Sequence, residues 1–199
     1  MPSLVETMDA LRADLVAKPM RIAAHRDIPF AIGCYPPGEE FALRKQLRLL
    51  AINLASECGL RVTYLSLARL VWETIRDQGG SAYLFETESK RGFPAAEQHV
   101  NHLLTSDDFR PAAESLLLKM EGMSPEKDIV FFVRAGGFAP GIYRASVLLE
   151  GLHRRTMVPA VFFYPGSART GTDLRFYDLP VEGSPSAYNY RVRVYGAES

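Results

Sequence analysis

The stretch Asp128-Ile-Val-Phe-Phe-Val-Arg-Ala135 decides the fold. Its apolar run, Ile129 to Val133, is nearly continuous rather than spaced for a helix or alternating for a half-solvated strand. Such runs belong to central strands of parallel sheets, buried on both faces. Downstream, Gly136, Gly137, Pro140 and Gly141 mark a loop, and Tyr143 to Leu152 reads as a helix. Val158 to Gly166, VPAVFFYPG, is a second buried strand, which the Pro-Gly pair is expected to stop. DLRFYDL and NYRVRVYG supply two closing strands. In the last, Val192 and Val194 face one way and Arg191, Arg193 and Tyr195 the other, which suits an edge strand.

Upstream, Leu4, Met8, Leu11 and Leu15 recur at helical spacing, so the chain opens with an amphipathic helix within residues 1–20. A short irregular connection leads to Phe30–Tyr35, read as the first strand and stopped by Pro36, Pro37 and Gly38. Glu39 and Glu40 suit the positive end of the next helix. That helix runs to about Cys58, with Phe41, Leu47, Leu50, Ala51 and Leu54 as its apolar stripe and Gly59 as its cap. Arg44, Lys45 and Arg48 fall largely on its other side. Arg61 to Leu67 forms a strand. Ala68 to Asp77 forms a helix, ended by Gly79 and Gly80. Residues 80–125 read as a helical insertion, where two segments open with Pro-Ala-Ala, as first helical turns favour. Strand, helix, strand, helix, then strand, helix, strand implies a single α/β domain over residues 1–199. The expected architecture is a three-layer α/β/α sandwich with a mostly parallel central sheet, P-loop-like or Rossmann-like in topology.

Composition narrows the function. The chain has 199 residues, 47% hydrophobic and 23% charged, enough apolar material for a core without disulfide or metal staples. Lys+Arg and Asp+Glu balance at 23 each, whereas a dedicated nucleic-acid binder carries a basic excess. Direct nucleic-acid contact is therefore not expected. No apolar run reaches the roughly 18 residues of a membrane span, and the N-terminus has no signal-peptide pattern. Cys34 and Cys58 form no CxxC pair and read as small buried hydrophobes in a reducing compartment. A cytoplasmic location follows.

Ligands of such sheets bind beyond the carboxyl ends of the strands, so YPPGEE, RAGGFAPGIYR and YPGSARTG are the loops to test. YPPGEE has no Lys and two acids, the wrong chemistry for a Walker A phosphate loop, and the GxGxxG spacing is absent. Gly136 and Gly137, flanked by Arg134 and Arg144 with Ser146 beyond, can still hold an anion. Arg134, at the end of a buried strand, needs either a cleft or a partner such as Asp173 or Asp178. His99 and His102 lack an obvious third metal ligand. His25 and His153 stand alone. No serine sits in a nucleophile elbow. Tyr164-Pro165-Gly166 reads as a tight turn or a partner-facing surface. No catalytic residue, metal or cofactor is expected.

The ordered set VFFVRAGGFAPGIYRASVLLEGL, VPAVFFYPG, GTDLRFYDL and NYRVRVYG resembles the BrxB family of BREX (bacteriophage exclusion) systems. Arg134, Gly136, Tyr143, Arg144, Ser146, Leu148, Leu149, Pro159, Tyr164, Pro165, Gly166, Leu174, Tyr190 and Arg191 fit that pattern. One departure is Phe138-Ala-Pro140-Gly-Ile-Tyr143, where family members place a Tyr-Pro pair. The resemblance implies a non-catalytic accessory part in antiviral defence and in the host DNA methylation that marks self. It implies binding to other BREX proteins, with the phosphatase-like PglZ as the expected partner and a homo-oligomer left open. The contact or anion site would comprise Arg134, Gly136, Gly137, Tyr143, Arg144, Ser146, Tyr164, Pro165 and Gly166. Tyr190, Arg191 and Arg193 would line the exposed edge strand. The rival readings are a degenerate nucleotide- or anion-binding domain and, favoured only by Arg191, Arg193 and the tyrosines around them, a nucleic-acid binder.

Overall fold

A computed structural model describes residues 2–22, 28–138, 141–169, 173–178 and 192–197. His25, Pro140, Tyr190 and Arg191 lie outside them, as does the side chain of Asp173. The chain forms two compact units. The first comprises residues 1–64, 122–133 and 157–199, the second residues 65–121 and 134–156.

The first unit carries the sheet. Its strands are β1 (Phe30–Tyr35), β2 (Arg61–Ser66, which runs on into the second unit), β3 (Asp128–Val133), β4 (Ala160–Arg169), β5 (Asp173–Phe176) and β6 (Arg193–Tyr195). The order across the sheet is β2-β3-β4-β1-β6, with β5 added to β4. β1 runs parallel to β4 and β6, and β3 parallel to β4, while β5 is antiparallel. The α/β class with a mostly parallel sheet is the one expected from the strand pattern. β1, and β3 from Asp128 to Phe132, are buried throughout, as their unbroken apolar runs require.

Helices α1 (Leu4–Leu15) and α2 (Glu40–Cys58) cover one sheet face. Leu4, Met8, Leu11 and Leu15 meet Leu43, Leu47, Leu50 and Leu54 around Ala31, Phe131, Val161 and Phe163. Ser3-x-x-Glu6 closes a capping box at the start of α1. Phe41 corrects the expected stripe of α2. It is 81% exposed, and Leu43 takes the inward position. Leu43, Leu47, Leu50 and Leu54 keep the i, i+4, i+7, i+11 register, and Phe41 lies about 200° around the helix from Leu43. Alternate sheet residues on the opposite face, Phe30, Ile32, Val130, Phe132 and Phe162, are equally buried.

A second correction concerns Tyr164-Pro165-Gly166. The pair does not stop β4. The strand runs on to Arg169, pairing first with β1 and β3 and then, from Gly166, with β5. Proline has no N–H to give a ladder, and it falls where the pairing of β4 passes from β1 to β5; its carbonyl accepts from the Tyr177 N–H at 2.8 Å.

The second unit is helical. Among its described residues it holds α3 (Leu67–Thr74) with a π-helical turn at Ile75–Gly79, α4 (Ser81–Arg91), α5 (Phe93–Thr105), α6 (Ala112–Lys119), and α7 (Ala145–Leu152). The expected insertion over residues 80–125 is thus part of a larger helical body that includes α3 and α7.

Candidate contact site

The candidate residues divide between the two units. Val133 ends β3 in the first unit, and Arg134, where the second unit resumes, turns to φ 58° with its side chain exposed. Asp178, one of its two expected partners, accepts from the Ser167 backbone N–H at 2.9 Å, and the side chain of Asp173, the other, lies outside the described residues. Exposure on the turn spares Arg134 the cost of burial. Ala135–Phe138 form a 3-10 turn, with the Gly137 N–H donating to the Arg134 carbonyl at 3.2 Å. Gly137 presses against α3, where an added Cβ would stand 2.5 Å from Ala68 Cα. This glycine thus serves close backbone packing rather than an open anion cradle.

Farther along, the loop is tied to α5. Asn101 Nδ2 donates to the Ile142 carbonyl at 2.7 Å, and the Gly141 N–H donates to Glu97 Oε1 at 3.2 Å. Tyr143 is buried, its ring edge-on to Phe138 at 5.0 Å, and burial pushes its phenol up to about 12. Arg144 is the N-cap residue of α7. Its carbonyl accepts from Val147 and Leu148, and its side chain is exposed. Ser146 is buried in the first turn. Neither Arg134 nor Arg144 is in an ion pair among the described residues. Two exposed guanidiniums on a packed loop thus define the polar surface of this cluster.

In the first unit, Tyr164, Pro165 and Gly166 are all buried within β4. Tyr164 meets Phe176 edge-on at 5.1 Å. They hold the β4–β5 hairpin and present no side chain outward. The edge strand also differs from its expected open face. Arg193 donates to the Arg21 carbonyl at 3.0 Å, pairs with Asp14 at 3.0 Å and lies over the Tyr195 ring. Tyr195 is buried and its hydroxyl donates to Asp14 at 2.8 Å. Burial first, and that hydrogen bond second, raise the phenol well above its ordinary value. The alternation seen in the sequence placed Arg193 and Tyr195 on one face correctly, but α1 uses that face through Asp14.

The remaining titratable groups follow their surroundings. His99 Nε2 is buried without a hydrogen-bond partner, and its ring meets Tyr83 edge-on at 4.8 Å. Burial, then His102, lowers its pKa. No cluster of three His, Cys, Asp or Glu side chains suited to a metal occurs among the described residues. After β1, Tyr35 donates to Glu40, which also holds Arg44 at 2.9 Å, so this loop presents carboxylate where a phosphate loop would present Lys. An open groove of about 300 Å³ on α6 is lined by Leu117, Leu118 and Met120 with Glu114, Glu121, Arg155 and Thr156.

These features define an α/β protein in which the loop after β3 is packed and presents arginine, while the loop after β1 presents carboxylate. The family model described as BREX protein BrxB matches residues 63–194, more than half of the chain. The chain belongs to the BrxB family and is a component of BREX phage defence. No curated protein and no solved structure matches it. No helix among the described residues is long and apolar enough to cross a membrane.

Proposed function

We propose that this chain is a non-catalytic accessory component of a cytoplasmic BREX complex. It acts in phage exclusion and host DNA methylation by binding other BREX proteins, with the PglZ-like protein as the expected partner. The observation that carries the reading is the family match over residues 63–194. The chemistry of the loops supports it. Tyr143 and Tyr164 are buried against aromatic neighbours, and burial pushes the Tyr143 phenol up to about 12, so neither offers an exposed acid or base. Exposed Arg134 and Arg144 suit carboxylates of a partner, since guanidinium forks engage them bidentately.

Co-expression of the tagged chain with the rest of a BREX locus tests this. The PglZ-like protein should co-purify with it, and Arg134→Glu/Arg144→Glu should weaken that recovery several-fold. Recovery of no BREX protein would overturn the proposal.

The same two arginines favour a second reading, a site for a nucleotide or other anion. Thermal unfolding with millimolar ATP or GTP separates the two. A ligand at 100 times its Kd stabilises by about 2.7 kcal/mol, a shift the partner-binding reading does not expect.

A further inference from the structure

Helix α2 buries Leu43, Leu47, Leu50 and Leu54, so its opposite arc is fixed. At 100° per residue, Phe41, Lys45, Arg48, Leu49 and Ile52 fall together on that arc. All five are exposed, Phe41 by 81%, Ile52 by 64% and Leu49 by 48%. Lys45 and Arg48 are in no ion pair among the described residues. Carboxylates on α2 are engaged elsewhere. Glu40 holds Tyr35 and Arg44, and Glu57 pairs with Arg12. Arg44 also lies over the Phe41 ring at 5.2 Å, which braces the ring in its outward position. The face therefore combines three water-exposed apolar side chains with two uncompensated positive charges.

We propose that this face of α2 is a docking surface for an acidic amphipathic helix of another protein. Apolar residues of that helix would cover Phe41, Leu49 and Ile52, and its carboxylates would meet Lys45 and Arg48. Charge selects this occupant. A symmetric contact with a second copy would set Lys45 and Arg48 against positive equivalents. A lipid surface is engaged by clusters of roughly four to eight basic residues, against two unpaired cations here. The inference rests on the reading that the chain works by binding proteins, but not on which protein it binds.

The test is site-specific photo-crosslinking in cells carrying the complete BREX locus. Benzoylphenylalanine replaces Ser56, which lies on the same arc, leaving the docking residues intact. The same probe at Glu88 of α4 is the control. The expected product is an adduct from position 56 to an acidic helical segment of another protein, absent from position 88. Its yield should fall at least tenfold in Phe41→Ser/Ile52→Ser and in Lys45→Glu/Arg48→Glu, and stay unchanged in Leu118→Ser. Unchanged melting of the variants separates a lost surface from a lost fold, and the single Lys45→Glu change serves if a double variant melts early. No adduct at position 56 would overturn the inference. So would an adduct to lipid, a second copy or a basic segment, or one indifferent to both substitution pairs. An acidic-helix adduct to a protein outside the BREX set would leave the surface standing and remove the functional reading instead.

Discussion

Two buried carboxylates tie distant parts of the chain together. Asp128, first residue of β3, accepts from Arg61 Nε and Nη2 at 2.8 Å each and from the Ser124 N–H at 2.8 Å. The Arg61 hydrogen bonds first, then the Ser124 N–H, hold its pKa below the ordinary value of 3.8. A carboxylate lowered by folding contributes stability that is fully present above its unfolded pKa and lost as pH falls through the folded one. Asp128→Asn should therefore lower the urea midpoint at pH 7, and the gap from wild type should narrow as pH falls below 3.8. A gap constant from pH 7 to pH 3 would contradict this. Asp14 instead receives Tyr195, Arg193 and Arg21. Tyr195→Phe removes one hydrogen bond of about 0.5–1.5 kcal/mol, measurable by denaturant unfolding. Cys34 differs again. Burial pushes its thiol up to about 12, while Cys58 is half-buried. A thiol-specific reagent should label Cys58 first and Cys34 only as the chain unfolds.

Among the elements, the β4–β5 hairpin depends most on a single residue. Gly166 has φ 137°, a backbone region that side chains rarely adopt, and an added Cβ would stand 1.9 Å from the Arg175 carbonyl oxygen. Gly166→Ala therefore meets both backbone strain and a backbone clash. Strain alone costs about 1–3 kcal/mol, so the variant should lose several degrees of melting temperature and lose amide protection in β5. An unchanged melt would show that the hairpin does not hold this conformation in solution. The sequence marked this glycine but not its role. YPG reads as a stop because β5, the strand that continues the pairing, shows only a short apolar pattern at Leu174 and Phe176. The α2 stripe was legible for a similar reason in reverse. Leucines at 47, 50 and 54 keep the helical period, and only Phe41 departs from it, since hydrophobicity gives no sign of exposure. Candidate-site residues were legible as types and in order. Their burial was not, because whether Tyr143 or Tyr164 faces solvent depends on Phe138 and Phe176, contacts that one-dimensional spacing does not encode.

At the scale of the whole molecule, the family match begins at Thr63, so α1, β1 and α2 lie outside it. The core nevertheless treats them as integral. Leu4, Met8, Leu11 and Leu15 of α1 are at most 6% exposed and share one cluster with Phe131, Val161 and Phe163, which are inside the match. Burying four such side chains contributes about 1.5–3 kcal/mol each, about 6–12 kcal/mol together, as an upper bound. Total domain stabilities are about 5–15 kcal/mol. Losing α1 would also leave Tyr195 without its buried acceptor, because Asp14 belongs to the same helix. A chain lacking residues 1–16 should therefore lose its cooperative thermal transition while the full chain keeps it, as followed by circular dichroism. A truncated chain melting cooperatively near the wild-type temperature would show that the matched segment folds alone and that α1 is an appendage. The contact pattern points the other way. The sheet face formed by residues inside the match is completed by helices outside it, so the folding unit is larger than the family segment.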